Sequence, residues 1–114
     1  MNREKCPCCG CPTLEARGDY EICLLCDWED DNQNDLQAKE VWGGPNGDYS
    51  LEEARTNFKK NLIMYRGKNE IDSPSAKVKK MKLLKAYQEL EASNETTEKW
   101  LGILLLEQEL HMSK

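Results

Sequence analysis

The sequence predicts a small α+β fold, in which a cysteine-rich N-terminal ribbon is followed by about three α-helices. The ribbon is predicted by two Cys-x-x-Cys pairs within the first 26 residues. The helices are predicted by three amphipathic segments, each preceded by residues that cap helices. We expect two parts, a ribbon domain with the helix that follows it over residues 1–66 and a helical hairpin over residues 67–114.

The two cysteine pairs indicate a metal site. Cys6 and Cys9 form the first pair, and Cys23 and Cys26 form the second. Pairs at this spacing can place four thiolates at the corners of a tetrahedron, which is the arrangement of structural Zn²⁺ sites. We therefore predict that these four cysteines bind Zn²⁺ and that each pair forms a knuckle, the tight turn of a Cys-x-x-Cys segment around a metal.

The residues around the pairs favour this geometry. Pro7 presets one backbone φ in the first knuckle, and Gly10 can take the positive φ that turns N–H groups toward the sulfurs. Between the knuckles, Gly18-Asp19 interrupts residues 13–22. This pattern predicts a short β-hairpin that brings the two knuckles together.

Cys8 and Cys11 form a second, interleaved Cys-x-x-Cys pair beside the predicted ligands. One interpretation is a thiol redox or metal-responsive switch, since a thiolate near backbone N–H groups is reactive. The other interpretation is that Cys8 is a small buried apolar residue within the knuckle. Ligand exchange between the two pairs is a further hypothesis.

Composition favours reduced thiols and a cytoplasmic protein. The N-terminus has no apolar stretch that would serve as a signal peptide, and no apolar run approaches the length of a membrane span. Six cysteines in such a chain indicate metal binding rather than disulfides.

Charge is uneven along the chain. Residues 1–57 contain 5 Lys and Arg against 13 Asp and Glu, whereas residues 58–114 contain 11 against 8. Because nucleic-acid binding depends largely on positive side chains, the acidic ribbon is not expected to bind nucleic acid. The acidic half instead favours a basic protein partner.

The acidic segment 27–35 is a second candidate site, because clustered carboxylates can bind Mg²⁺ or Ca²⁺ or take part in acid–base chemistry. Its spacing does not match a calcium-binding loop, so a solvated loop is the alternative that we favour. Hydrolysis through Glu29, Asp30 and Asp31 ranks last, because no partnering base or nucleophile is evident.

Trp28 is expected to pack over the metal site. The glycine-rich loop 41–49 lacks the phosphate-loop pattern and is expected to fold back over the ribbon.

Three helices are expected after this loop. Ser50 and Glu53 form a capping box for a helix over about 51–66, with Gly67 as its stop. Ser73-Pro74 opens a second, basic helix. Its expected apolar stripe consists of Val78, Met81, Leu84, Tyr87 and Leu90. Its lysines are expected to form a solvated face.

The third helix begins near residues 94–98 and ends near Met112. It contains more apolar residues than one buried stripe needs, which predicts a homodimer or a protein partner that binds through this helix. His111, the only histidine, is far along the chain from the cysteines and is not expected to bind the metal.

The first half of the chain resembles the cysteine-rich CPCC family of bacterial proteins. The resemblance rests on Cys-Pro-Cys-Cys-Gly, on Tyr-Glu-Ile-Cys-x-x-Cys-x-Trp-Glu-Asp-Asp, on Gly-Gly-x-Asn and on Ser-Leu-x-Glu-Ala-Arg-x-Asn-aromatic, which are residues 6–10, 20–31, 43–46 and 50–58. It implies a small zinc-binding domain and names no reaction. Cys11, where the family commonly has an aromatic residue, and Leu24-Leu25, which replaces a proline-containing pair, depart from the pattern.

Taken together, these features predict a zinc-binding, non-catalytic protein-interaction module, such as an antitoxin or an immunity-type accessory protein. The alternative is a thiol redox or metal-responsive switch that uses Cys8 and Cys11.

Overall fold

The computed structural model describes residues 2–67 and 73–113. Within them the helices are α1 (Leu51–Asn61), α2 (Pro74–Ala92) and α3 (Thr97–Ser113), and two short 3-10 turns precede α1 at Asp35–Gln37 and Gly44–Asn46. The chain divides into two units, residues 2–68 and 69–114. We call them the cysteine unit and the hairpin unit. None of the described helices is long and apolar enough to cross a membrane.

The predicted α+β class is wrong, because residues 2–67 and 73–113 contain no β-strand. The extended pairing that does occur is limited to two isolated bridges, Glu4 with Leu14 and Ile22 with Glu29. Each bridge joins the two ends of one knuckle, so the pairing closes the knuckles individually. No hairpin ribbon connects them.

The connection between the knuckles fails to pair for local reasons. The backbone N–H groups of Glu15 and Ala16 donate to the Glu21 carboxylate, at 2.9–3.1 Å, and are therefore used by a side chain. Tyr20 has φ +60°, which lies outside the β region. This segment consequently forms a chain of turns in place of the predicted β-hairpin.

The first knuckle is closed by two backbone hydrogen bonds. Gly10 N donates to Cys6 O at 2.8 Å, and Cys6 N donates to Cys11 O at 2.9 Å. The left-handed conformation of Gly10, whose φ is +77°, turns the chain so that the Cys11 carbonyl can accept the second bond. The prediction that this glycine supplies a positive φ is confirmed.

The second knuckle repeats the same pattern seventeen residues later. Asp27 N donates to Cys23 O and Cys23 N donates to Trp28 O, both at 2.9 Å. Asp27 occupies the position of the glycine and has φ +71°, a conformation that costs a non-glycine residue roughly 1 kcal/mol. The two knuckles thus share one backbone geometry despite different sequences.

Helix α1 begins as predicted. Ser50 caps it, since its hydroxyl accepts the backbone N–H of Glu53 at 3.0 Å. The buried face of the helix consists of Leu51, Ala54 and Phe58.

The predicted end of this helix near residue 66 is wrong. Leu62 takes a left-handed conformation, with φ +62°, and the helix stops at the residue before it. The chain then turns back, so that Met64 N donates to Cys26 O at 2.9 Å and the Met64 side chain is buried. Attachment to the second knuckle therefore ends the helix before the glycine at position 67.

In the hairpin unit, α2 packs against α3. Ser73 caps α2 through the backbone N–H of Ala76, as predicted. At the start of α3, within the predicted segment 94–98, the Thr96 hydroxyl accepts the N–H of Lys99. The residues of α2 that face the core are Ala76, Lys80, Leu83, Tyr87 and Leu90, and those of α3 are Trp100, Ile103, Glu107 and Leu110. These positions alternate by three and four residues, as in a coiled coil.

The predicted stripe of α2 is partly wrong. Val78 and Met81 are 52% and 61% exposed, whereas Lys80 is fully buried. The core of the hairpin is therefore partly polar, and within it the Tyr87 hydroxyl donates to the Glu107 carboxylate. Burying the phenol and the carboxylate is tolerated because each satisfies the other.

An ion pair between the partly exposed Arg17 and the buried Asp30 holds the connection between the knuckles. Asp30 is fully buried and accepts two bonds from Arg17, one at 2.9 Å and one at 3.3 Å. It also accepts the backbone N–H groups of Gly18 at 2.7 Å and Asn32 at 3.1 Å. Burial raises the pKa of Asp30, but the bonds from Arg17, Gly18 and Asn32 outweigh this effect, and its pKa lies below the usual value.

We predict that Asp30→Asn lowers the free energy of unfolding by about 2 kcal/mol, because the Arg17 guanidinium loses its charged partner. Because the pKa of Asp30 is depressed in the folded state, this stabilisation is present above the unfolded pKa near 3.8 and is lost as the pH falls through the folded pKa. The free energies of unfolding of the wild type and of Asp30→Asn, measured with urea, should thus differ by a constant amount from about pH 5 to pH 8. Asp19→Asn, at an exposed carboxylate nearby, is the control, and a difference that changed strongly within this range would contradict the assignment.

Candidate metal centre

The structure brings the four predicted ligands together. The Sγ atoms of Cys6, Cys9, Cys23 and Cys26 all lie within 4.8 Å of one another, although the two knuckles are separated along the chain. The Cys6 and Cys26 sulfurs are 3.6 Å apart, as are those of Cys9 and Cys23. Each knuckle supplies two sulfurs, and each short distance joins one knuckle to the other.

These distances fit a tetrahedral thiolate site. Zn²⁺ binds sulfur at about 2.3 Å, so the edges of a regular ZnS₄ tetrahedron are about 3.8 Å long. Three of the four cysteines are buried and the fourth, Cys9, is half-buried. A metal held here would be surrounded by protein sulfur and shielded from water.

The thiols are coupled through their hydrogen bonds. Bonding to Cys23 raises the pKa of Cys6, bonding to Cys11 raises that of Cys9, and burial raises that of Cys26. Burial also acts to raise the pKa of Cys23, but the hydrogen bonds that its sulfur receives from Cys26, Cys6 and Cys9 lower it overall. Cys23 is therefore the one cysteine of the four whose pKa lies below the usual value. Metal binding displaces thiol protons, so metal affinity rises with pH.

Thr13 supports this sulfur directly. Its hydroxyl lies 3.1 Å from the Cys23 Sγ, and a hydroxyl donates to a thiolate. Sequence reasoning missed Thr13, because a threonine two residues beyond Cys11 has no pattern that distinguishes it from an ordinary turn residue.

Cys8 and Cys11 lie outside the four-sulfur group, and both are buried, at 7% and 6% exposure. The Cys11 thiol lies 3.8 Å from the Cys9 carbonyl oxygen and also bonds the Cys9 sulfur, and the Cys8 thiol bonds the Cys26 sulfur. Both side chains thus contact the ligand sulfurs, and their burial limits the access of solvent oxidants.

Arg55 joins α1 to the first knuckle. Its Nε donates to the Pro7 carbonyl at 2.8 Å, and its NH2 group donates to Asp35 at 2.6 Å. Asn57 acts similarly, since its Nδ2 donates to the Met64 carbonyl at 2.8 Å. Both side chains therefore tie α1 to other segments of the cysteine unit. The available signal was that both belong to the family pattern at residues 50–58.

The glycine-rich loop 41–49 folds back over the second knuckle, as predicted. Asn46 is buried and bonds both backbone groups of Glu29, accepting its N–H at 3.1 Å and donating to its carbonyl at 2.8 Å. This bonding imitates the backbone of a neighbouring strand.

The acidic segment 27–35 has structural partners. Asp31 accepts the Gln33 amide at 2.9 Å, and Asp35 pairs with Arg55. Together with the Asp30 ion pair, these contacts favour a structural role over a second metal site. Trp28 is fully buried.

The comparison with protein families identifies the chain as a member of the Cysteine-rich CPCC family, whose model matches residues 4–76. The match spans the cysteine unit and the first residues of α2, and the rest of the hairpin unit lies beyond it. Neither curated proteins nor solved structures gave a match.

We predict that Arg55→Lys accelerates metal loss to a chelator by up to about tenfold, because the Nε bond that fixes the Pro7 carbonyl is removed while the charge is kept. Transfer of metal to a chromophoric chelator measures the rate. Lys59→Ala, at an exposed position of the same helix, should leave the rate unchanged. An Arg55→Lys protein that kept its metal as long as wild type would show that this bond does not position the knuckle.

Proposed function

We propose that the protein is a zinc-stabilised, non-catalytic protein-interaction module of the cytoplasm. The observation that supports a bound metal is the group of four cysteine sulfurs within 4.8 Å of one another. Four thiolates favour Zn²⁺ over cations that prefer oxygen ligands, and they complete its tetrahedral shell. A site with four protein ligands has no open position for substrate, which supports a structural metal.

The non-catalytic part of the proposal rests on the carboxylates of the acidic segment. Asp30 is engaged by a guanidinium and two backbone N–H groups, and Asp31 by two amide side chains. Carboxylates bound in this way position backbone and are not arranged around a vacant reaction centre.

The interaction surface that we propose is formed by the exposed apolar side chains of segment 36–42 in the cysteine unit. Leu36 is 91% exposed, Val41 55% and Trp42 46%. Exposed aromatic and aliphatic side chains within one short segment are typical of protein-binding surfaces. Because the surrounding half of the chain is strongly acidic, the proposed partner is a basic protein. Antitoxins and immunity proteins that sequester a basic partner are the class we favour.

The metal is tested by zinc content on protein purified under reducing conditions. We predict one zinc per chain in the wild type and in the double variant Cys8→Ser with Cys11→Ser, and a large loss in Cys26→Ser. Co²⁺ substitution should give the visible absorption of a tetrahedral thiolate site in the first two proteins only. Loss of metal in the double variant would instead support the alternative in which Cys8 and Cys11 form a metal-responsive switch.

The partner class is tested with a labelled amphipathic peptide of lysine and leucine, with fluorescence anisotropy as the readout. We predict binding that weakens by about tenfold at high salt and again in Trp42→Ala. Two exposed neighbours form a matched pair, since Glu40→Lys should weaken binding and Lys39→Glu should strengthen it. Equal binding by both charge variants would contradict an electrostatic interaction with this segment.

A further inference from the structure

The hairpin unit has a groove along one side between α2 and α3, with a volume of about 450 Å³. Its apolar lining includes Ala86, Gly102 and Leu106. Apart from its chain neighbours and the backbone of α3, a Cβ atom placed on Gly102 would meet no atom within 4 Å, so the groove is open at this residue. A groove of this kind can receive the side chains of another helix.

The rim of the groove is acidic. Glu89, Glu98 and Glu109 line it, with Lys99 as the one basic neighbour among its lining residues. Lys99 already donates to the Asn94 carbonyl at 3.0 Å and to the Ser93 hydroxyl, so its charge is directed toward the connection between the helices. The groove therefore favours an apolar helix surface that is flanked by positive charge.

The first half of α2 provides such a surface. Val78 is 52% exposed and Met81 is 61% exposed. Lys82 and Lys85 are exposed beside them, and the first half of the helix contains no acidic residue. Its chemistry thus complements the groove of another molecule of the same chain.

Both features lie on one side of the hairpin. Val78, Lys82 and Ala86 are four residues apart, and Glu89 follows three residues later, so the four form one row along α2. The row is apolar and basic at its start and acidic at its end. Two copies related by a two-fold axis would place the start of each row against the end of the other.

We propose that the protein forms an antiparallel homodimer through this row and groove, in which the start of α2 of each copy occupies the acidic groove of the other. This inference goes beyond the proposed function, because it concerns the hairpin unit and does not depend on the metal. It also extends our expectation of a contact through α3, since residues of α2 contribute to the proposed surface as well.

The test is sedimentation velocity of the full, zinc-loaded chain over a range of micromolar concentrations. We predict a dimer for the wild type, and dissociation constants raised by about tenfold for Lys82→Glu and for Glu89→Lys, because each variant places like charges opposite one another. An equimolar mixture of the two variants should recover the dimer, since each then supplies the charge that the other lacks.

Two further variants complete the experiment. Lys77→Glu makes the same charge change on the other side of α2 and should leave the dimer intact. Gly102→Leu fills the groove and should weaken the dimer without adding charge. Circular dichroism checks that each variant keeps its helices. A wild type that stays monomeric at high micromolar concentration, or variants whose mixture does not recover the dimer, would overturn the proposal, and zinc content would be unaffected by that outcome.

Discussion

The cysteine unit depends on one constraint, which is the convergence of four sulfurs within 4.8 Å. Four thiolates this close together repel one another unless a cation lies between them. With Zn²⁺, the same geometry can supply about 10–16 kcal/mol of apparent binding free energy. This is comparable to the whole stability of an ordinary domain, about 5–15 kcal/mol. A metal held there would therefore explain how residues 2–67, which contain one α-helix and no β-strand, can remain folded.

The rest of the unit is attached to the backbone of the knuckles. Arg55 donates to the Pro7 carbonyl, Met64 donates to the Cys26 carbonyl, and Asn46 bonds both groups of Glu29. These three contacts come from α1, from the segment that follows α1 and from the loop that precedes it. Each contact satisfies backbone hydrogen-bonding groups of the knuckles that would otherwise need another partner, such as a neighbouring strand. The knuckles are therefore held in place by side chains and loops.

The hairpin unit is stabilised differently, by helix packing around a partly polar core. Lys80, Tyr87 and Glu107 occupy positions that an apolar residue would usually fill in a pair of helices. Buried polar groups favour the one register of α2 against α3 in which their hydrogen bonds are satisfied. In any other register they would be left without partners, and that arrangement would be less stable. The apolar residues that the core does not use remain on the outside, where they form the surface proposed for self-association.

Sequence alone determined the local features whose cause is local. The cysteine spacing identified the four residues that converge, Ser50 and Ser73 marked where two helices begin, and the glycine of the first knuckle indicated a positive φ. Only the tertiary structure decided the features that depend on distant partners. Helix α1 ends early because the Met64 N–H donates to the Cys26 carbonyl of the second knuckle. Likewise, α2 buries Lys80 instead of Val78, because the direction of α3 selects its core face.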